Sequence, residues 1–268
     1  MVGGKLGSTT VSVTLIGTAT AILQIDEVRF LTDPAFDGAG HEYTVMPGMS
    51  ITSTADPVLS IDKLGHIDAV LLSHEDHADN LDTIGRRLLD GRLVLTTRDG
   101  ANNLAPRPDV FGLGGWQSKL VKVGGKDFSI TAIPCVHKSS SACIGFVIES
   151  PSFGETDGLP NAIYYTGDTI LFDELYKVKD KWHVSLLLIN LGRAEAPVGA
   201  EGSMEPITMD SRAAVELIQQ IKPDVVVPQH FDSWAHFAER SDQVKKNWAE
   251  AGITNVTYAK PGEAFRVL

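Results

Sequence analysis

Short apolar runs of strand length occur in two sets along this chain, and their order constrains the fold more than any other feature. Each set opens with runs separated by tight turns, typical of an antiparallel meander, and ends in alternating strand and helix patterns. The predicted strands are 11–16, 21–25, 28–32, 68–73, 93–96, 120–123, 128–133, 144–149, 162–166, 184–190, 224–227 and 256–258. The predicted helices are 81–89, 99–104, 171–178, one capped by Thr208 or Asp210 that runs to Ile221, and 239–251. This pattern predicts an α/β protein with two mixed sheets and helices outside.

Composition narrows the functional classes. The chain has 268 residues, a formal charge of −11 and 43% apolar residues. No Pro- or Ser-rich linker separates the two sets, which predicts a single domain over residues 1–268. The acidic balance disfavours nucleic acid as a partner, because a phosphate backbone requires a basic face. Neither a signal peptide nor a membrane span is evident, and the two cysteines, Cys135 and Cys143, cannot form a disulfide scaffold. We therefore expect a cytoplasmic protein.

Residues 34–60 form a long stretch rich in Gly, Pro, Ser and Thr, without a clear period. Loops of this length inside a compact domain are uncommon and are often functional. One interpretation is a flap over an active site, in which His41, Tyr43, Met46 and Met49 contact a substrate. The other interpretation is an irregular surface excursion.

The strongest chemical signal is the segment from Ser73 to Asp82, which follows a predicted buried strand and reads Ser-His-Glu-Asp-His-Ala-Asp-Asn-Leu-Asp. It places His74, His77 and several carboxylates within a few residues, and imidazole together with carboxylate suits Zn, Mn or Fe. The alternative is a polar helix start, in which Asp79 or Asp82 caps backbone N–H groups and the histidines are merely exposed.

Three more strand ends carry residues of the same chemistry. His137, Asp168 and His230 each follow a predicted strand closely. Any one of them alone is more typical of a turn or of a satisfied polar group. Loops at strand ends, however, are where sheets usually build active sites. Together with the first segment, these residues predict a metal centre.

With these residues in place, the chain resembles the metallo-β-lactamase superfamily of metal-dependent hydrolases. The signature of that superfamily is His-x-His-x-Asp-His after a strand, then a His, a Gly-Asp and a late His. The branch that contains L-ascorbate-6-phosphate lactonase and the N-acyl-phosphatidylethanolamine-hydrolysing phospholipase D is similar through three further segments. These are Gly17-Thr18-Ala19-Thr20 (with Thr18 in place of the usual His), Leu31-Thr32-Asp33-Pro34 and Pro228-Gln229-His230-Phe231. The resemblance spans about residues 11–260. It implies a four-layer αββα sandwich with one or two divalent metal ions, zinc first, with manganese or iron as alternatives.

The chain departs from the family pattern at the central motif. With one extra residue after His74, His77 matches the second ligand, Asp79 matches the aspartate and Asn80 replaces the last His. Without that gap, Asp76 takes the second position and Asp79 the last. We prefer the gapped register because it keeps the end of the motif aligned. In that register, an Asn80→His replacement is expected to raise metal affinity at the second site. The implied ligand sets are His74, His77, His137 and Asp168 for one ion, and Asp79, Asp168 and His230 for the other, with Asp76 as an additional candidate.

The resemblance implies hydrolysis by a metal-bound hydroxide, with Asp79 orienting or deprotonating the nucleophile. His236 is a candidate for substrate contact or proton donation. The aromatic residues Phe231, Trp234 and Phe237 either wall an apolar pocket or belong to the core. We expect ring opening of a small-molecule substrate, a cyclic ester or amide (lactone or lactam), or cleavage of a related acyl bond. The alternatives are an inactive relative that binds a ligand and a phosphodiester hydrolase of the same superfamily. A homo-oligomer is the common form of association.

Overall fold

Strands dominate the described part of the chain, which in this computed structural model comprises residues 6–46, 49–137 and 142–268. The strands are β1 (Val11–Gly17), β2 (Thr20–Ile25), β3 (Val28–Thr32), β4 (Glu42–Met46), β5 (Met49–Thr52), β6 (Ala69–Leu71), β7 (Leu93–Thr97), β8 (Val110–Leu113), β9 (Ser118–Val123), β10 (Lys126–Pro134), β11 (Ile144–Glu149), β12 (Glu155–Thr156), β13 (Leu159–Tyr165), β14 (His183–Asn190), β15 (Glu195–Ala196), β16 (Glu205–Pro206), β17 (Val225–Gln229) and β18 (Phe265–Arg266). The α-helices are α1 (Arg98–Leu104), α2 (Ser211–Ile221) and α3 (Ser241–Glu250). Short 3-10 helices span Ile61–Lys63, Gly85–Leu88, Pro151–Phe153, Asp173–Asp180 and Ala200–Gly202.

Two large mixed sheets carry the fold. The first has the order β18-β1-β2-β3-β6-β7-β8, and the second has the order β17-β14-β13-β11-β10-β9, with β12 paired to β13. In the first sheet β1, β2 and β3 are antiparallel, and β3, β6, β7 and β8 are parallel. In the second sheet β9, β10, β11 and β13 are antiparallel, and β13, β14 and β17 are parallel. The predicted two mixed sheets with helices outside are therefore confirmed.

Successive side chains along each strand point to opposite faces of the sheet, and this explains why the two sheets stack. Leu186 and Leu188 of β14 belong to the apolar layer between the sheets, whereas Leu187 lies in the layer under the helices. The ring of Phe30 from the first sheet meets that of Phe128 from the second edge-on, with centroids 5.2 Å apart. Because side chains on neighbouring positions point to opposite faces, a strand buried on both faces must be apolar throughout.

Two α-helices, α2 and α3, cover the outer face of the second sheet. On the second sheet, α2 and α3 bury Leu217, Ile221 and Trp248. The Asp210 side chain accepts a hydrogen bond from the Ala213 N–H and so caps α2, which selects between the two predicted caps. The predicted 99–104 helix corresponds to α1. In the described residues, no helix is both long and apolar enough to cross a membrane.

Three local predictions were wrong or incomplete. Residues 81–89 form only the 3-10 helix Gly85–Leu88, because the Asp82 carboxylate binds backbone N–H groups of Phe36 and Gly85 and anchors this segment to the loop after β3. The 171–178 segment is also 3-10 rather than α-helical. Residues 256–258 make only a bridge from Val226 to Val256, and the last strand is β18. The strands β4, β5, β8, β12, β15 and β16 were not predicted.

Residues 34–60 contain the hairpin of β4 and β5. The hairpin leads to Ser53, which pairs with Trp234, and the ring of Tyr43 lies 6.1 Å from that of Trp234. The stretch is thus attached to the segment that follows His230. The side chains of Met46 and Met49, two of the predicted substrate contacts, lie outside the described residues.

Candidate metal centre

Six histidine and aspartate side chains converge from four strand ends. The turn after β6 supplies His74, His77 and Asp79; His137 follows β10, Asp168 follows β13 and His230 follows β17. They form two groups, and within each group the ligand atoms lie within 4.8 Å of one another. The first group is His74, His77 and His137, and the second group is Asp79, Asp168 and His230.

The first group consists of three imidazoles in mutual contact. The His77 Nδ1 atom lies 3.0 Å from His137 Nε2, and the ring of His74 lies 4.7 Å from that of His77 and 4.9 Å from that of His137. Burial, together with the neighbouring histidines, lowers the pKa of His74 to about 3, and burial also lowers that of His137. These two rings are therefore neutral at pH 7, which is the form of imidazole that binds a metal.

The second group combines two buried carboxylates with one imidazole. The His230 Nε2 atom lies 3.3 Å from Asp168 Oδ2 and 3.6 Å from Asp79 Oδ2. Burial alone would raise the pKa of Asp168, but His230 beside it outweighs burial and holds that pKa well below its usual range. Asp168 Oδ2 is also 4.0 Å from His137 Nε2, so this carboxylate lies between the two groups.

Local backbone geometry explains two of these placements. Gly167 has φ of +60°, and a Cβ there would stand 2.7 Å from the Ile144 carbonyl oxygen, so only glycine permits the turn that places Asp168. His230 itself has φ of +66°, an uncommon value for a residue with a side chain. Its N–H donates to the Thr18 carbonyl, which holds the strained turn at the end of β17.

The pattern of hydrogen bonds fits a bound cation. The outward atoms are satisfied: His74 Nδ1 meets Ser73 Oγ at 2.8 Å, His230 Nδ1 meets the Leu191 carbonyl at 3.0 Å, and Asp168 Oδ1 accepts from Asn190 Nδ2 at 2.7 Å. The opposite atoms, His74 Nε2, His230 Nε2 and Asp168 Oδ2, are buried and make no hydrogen bond of good geometry, although His230 Nε2 and Asp168 Oδ2 form an ion pair at 3.3 Å. Metal-binding histidines typically use one ring nitrogen for an outer partner and leave the other for the ion. These residues therefore fit divalent cations.

The remaining predicted site residues take different positions. Asp76 is exposed and belongs to neither group. His236 Nε2 lies 3.8 Å from Asp79 Oδ2, and its Nδ1 is buried without a partner. Burial lowers the pKa of His236. Trp234 and Phe237 are buried in a small apolar cluster with Ile51, whereas Phe231 packs against the layer under the helices.

Asn80 faces away from both groups. Its side-chain amide donates to Asp33 Oδ2 at 2.9 Å, and the residue is fully buried. The same Asp33 carboxylate accepts from Ser73 N–H, Ser73 Oγ and Tyr165 OH, each at 2.6 Å. Because the Ser73 proton goes to Asp33, the Ser73 oxygen accepts from His74 Nδ1–H, which leaves the His74 Nε2 lone pair facing the first group.

Sequence reasoning did not assign this supporting network a role. Asp33 stands in the quoted Leu-Thr-Asp-Pro segment, so a signal existed for it. Tyr165 and Asn190 merely end apolar strands, and no pattern marked them. Asn190 nevertheless holds Asp168 and accepts from Gln229 Nε2 at 2.8 Å.

An Asn80→His variant tests this placement. From this placement we expect a loss of stability rather than a gain of metal affinity. The histidine ring is larger than the asparagine side chain and would have to fit into a buried site that faces away from the metal groups. We expect unchanged metal per chain and a free energy of unfolding lowered by about 1–3 kcal/mol. Elemental analysis measures the metal per chain, and urea unfolding measures the free energy of unfolding. Asn102→His, on the exposed face of α1, is the matched control. An additional bound ion would show that position 80 faces the second group.

The fold and the site now define a class: a stack of two mixed sheets of the metallo-β-lactamase type with His and Asp side chains gathered at strand ends. The Beta-lactamase superfamily domain family matches residues 28–231, and the chain belongs to that family. A relative named UPF0173 metal-dependent hydrolase from Pyrococcus furiosus is 27% identical over 256 residues, which cover 90% of this chain and 99% of the relative.

Solved structures share the fold. An isothiocyanate hydrolase from Delia radicum gut bacteria has a TM-score of 0.76 at 19% identity, covering 95% of this chain and 98% of that one. A metallo hydrolase from the hyperthermophilic archaeon Ignicoccus hospitalis has a TM-score of 0.68 at 22% identity, covering 96% and 98%. At these identities the likeness establishes the architecture alone.

Proposed function

We propose that the chain is a metal-dependent hydrolase that opens a small cyclic ester or amide, a lactone or lactam, or cleaves a related acyl bond. One observation carries the proposal: the inward atoms of His74, His230 and Asp168 are buried and make no hydrogen bond of good geometry, while their outward atoms are hydrogen-bonded. Imidazoles and carboxylates whose outer atoms are fixed by hydrogen bonds while their other atoms converge are the arrangement that holds a divalent cation, which favours a metal-dependent hydrolase over a relative that has lost its metal.

In this proposal each group would hold one divalent cation, and Asp168, whose Oδ2 lies near both His137 and His230, would serve either of them. Three imidazoles suit zinc, whereas two carboxylates with one imidazole also suit manganese or iron. A bound divalent cation supplies Lewis acidity and makes a water molecule nucleophilic near neutral pH. Asp79, whose carboxylate lies 3.8 Å from His236, orients the nucleophile or accepts its proton.

His236 is proposed to contact the substrate or to donate a proton to the leaving group. It lies beside the second group, and its ring contacts those of Trp234 and Phe237 at 5.9 and 4.8 Å. The buried apolar cluster of Ile51, Trp234 and Phe237 then forms the apolar side of the substrate site. Together with the net charge of −11, this favours a small, partly apolar substrate over a polyanion.

Replacing His236 with alanine separates this role from metal binding. We expect metal per chain to stay at the wild-type value and kcat to fall by about 10²-fold or more, the usual contribution of a positioned acid or base. His66→Ala, on a largely exposed ring that pairs with Asp68, is the matched control. If metal content falls in parallel with kcat, His236 is a ligand rather than a proton donor.

The proposal also covers the domain extent, the 34–60 segment, the family branch, the location and the association of the chain. Residues 1–268 act as one domain, and residues 34–60 cover the site as a flap attached through the Ser53–Trp234 pairing. The proposal places the chain in the branch with L-ascorbate-6-phosphate lactonase, which opens a cyclic ester, and the N-acyl-phosphatidylethanolamine-hydrolysing phospholipase D, which cleaves a phosphodiester. A cytoplasmic location agrees with two free cysteines, and a homo-oligomer is the expected association.

Elemental analysis of protein purified without chelator or affinity metal tests the proposal first, followed by a substrate panel. The panel contains lactones, lactams, a phosphodiester and, because a protein of this fold is an isothiocyanate hydrolase, an aryl isothiocyanate. We expect one or two ions per chain and turnover of a cyclic ester or amide. Protein that stays metal-free after zinc or manganese is added would instead be a ligand-binding relative. Preferential cleavage of the phosphodiester would transfer the proposal to that reaction.

A further inference from the structure

The two cysteines of the chain flank the last residue pair of a β-ladder. Cys135 directly follows β10, Cys143 directly precedes β11, and the last antiparallel pair between these strands is Pro134 with Ile144. Continued by one residue, the same register would place Cys135 across from Cys143. Directly opposed residues have Cα atoms about 4.5–5.5 Å apart. That range lies within the about 4.4–6.8 Å that a disulfide spans.

Side-chain contacts agree with the register. The Cys143 sulfur lies 3.5 Å from His74 Nδ1, and the Cys135 and Cys143 side chains interact electrostatically. The Cys135 sulfur lies 3.3 Å from the Thr166 carbonyl, in the turn that leads to Asp168. The thiol pair is therefore adjacent to the outward side of the first group, and one of its members touches a residue of that group.

A small oxidant can reach this pair. A cavity of about 330 Å³ is lined by both cysteines together with Arg98, Asp99 and Pro134. Cys135 is half-buried, whereas Cys143 is 5% exposed. The greater exposure of Cys135 makes it the cysteine that reacts first with an oxidant from solvent.

We propose that Cys135 and Cys143 are a redox-sensitive pair that closes to a reversible disulfide with peroxide as the oxidant. The O–O bond of hydrogen peroxide breaks as one oxygen is transferred to the Cys135 sulfur, which becomes a sulfenic acid, and the other leaves as water. The Cys143 sulfur then attacks the Cys135 sulfur, the S–S bond forms, and the sulfenic oxygen leaves with the Cys143 proton as a second water. Both thiols are oxidised and one peroxide is reduced.

Disulfide formation would draw the Cys143 sulfur away from the His74 ring, which it contacts 3.5 Å from Nδ1, while the Ser73 hydrogen bond that sets the His74 tautomer would remain. Outer contacts of metal-binding histidines also orient the ring, and the loss of one typically lowers metal affinity by about 10–100-fold. Oxidation would therefore weaken cation binding by the first group. This consequence rests on the proposed function, whereas the thiol chemistry does not.

The thiol chemistry is tested on the full-length protein with a modest excess of hydrogen peroxide, by intact mass and thiol counting under denaturing conditions. We expect both thiols to disappear with the loss of two hydrogen masses and no added oxygen, and dithiothreitol to restore them. Cys135→Ser should leave Cys143 reduced, and Cys143→Ser should retain an oxygen adduct or a trapped sulfenic acid on Cys135. Stepwise oxygen addition to the wild-type protein, or two thiols that persist, would overturn the proposal whether or not the variants fold.

The effect of cysteine oxidation on cation binding by the first group is measured separately. Zinc affinity of the reduced and oxidised proteins is compared by competition with a chromogenic chelator, without any substrate. We expect about tenfold or weaker binding after oxidation, reversed by dithiothreitol, and no such change in Cys135→Ser treated in the same way. Formation of the disulfide with unchanged zinc affinity would overturn the link. Absence of zinc binding in the reduced protein would instead contradict the proposed function and leave the mass result standing.

Discussion

Replacing Asp168 with asparagine is expected to remove the bound cation from the second group and to abolish turnover. Asp168 Oδ2 lies 3.3 Å from His230 Nε2 and 4.0 Å from His137 Nε2, so both groups lose the same negative charge. Loss of an outer partner of a metal ligand already costs about 10–100-fold in metal affinity or activity, so loss of the ligand charge itself should lower activity by at least about 10²–10³-fold.

Asparagine keeps the shape of the side chain, so its effect on folding is small. The Oδ1 atom that accepts from Asn190 remains available, and the thermal unfolding midpoint without metal should stay near that of the wild-type protein. Asp180→Asn, at the exposed end of the 3-10 helix Asp173–Asp180, is the matched control and should change neither metal content nor kcat. A variant at position 168 that keeps full metal content and turnover would remove this residue from the proposed centre.

The layered architecture followed from the sequence because its cause is local. Alternating and continuously apolar strands, such as 28–32 and 184–190, predict which faces are buried, and the structure buries those faces. Helix type was harder to predict. The apolar spacing of Leu81, Ile84 and Leu88 correctly indicates a face that packs on the first sheet. The helix there is interrupted because Asp82 binds a loop distant in sequence, which no local pattern shows.

The candidate site was predictable for a similar reason. Histidines and aspartates at strand ends are visible one by one, and parallel strands end at a common edge. The structure brings together His74, His77 and Asp79 from one turn and leaves Asp76 exposed. Spacing alone could not choose between His77 and Asp76, because the direction of each side chain depends on the turn. Nor could it show that Asn80 faces Asp33, a residue 47 positions away.

Replacing Asp33 with alanine is expected to lower the free energy of unfolding by about 3–5 kcal/mol, the largest stability effect among these variants. The carboxylate is fully buried and accepts hydrogen bonds from the backbone and side chain of Ser73, from Asn80 and from Tyr165. Alanine leaves all four donors buried without an acceptor, and each orphaned donor costs about 1–3 kcal/mol before the site relaxes. Urea unfolding of the metal-free protein measures the loss, and Asp180→Ala serves as the exposed control.

The pH dependence of stability provides a second measurement at the same residue. Burial raises the pKa of Asp33 from 3.8 to about 7, despite the donors that favour its ionised form. Between about pH 4 and pH 7 this carboxyl therefore binds more protons in the folded chain than in the unfolded chain, so its contribution to stability falls as the pH rises through that window, by at most about 1.4 kcal/mol per pH unit. The Asp33→Ala variant should lack this slope. If wild type and variant lose stability in parallel across the window, the slope belongs to other groups, and Asp33 is ionised throughout in the folded protein.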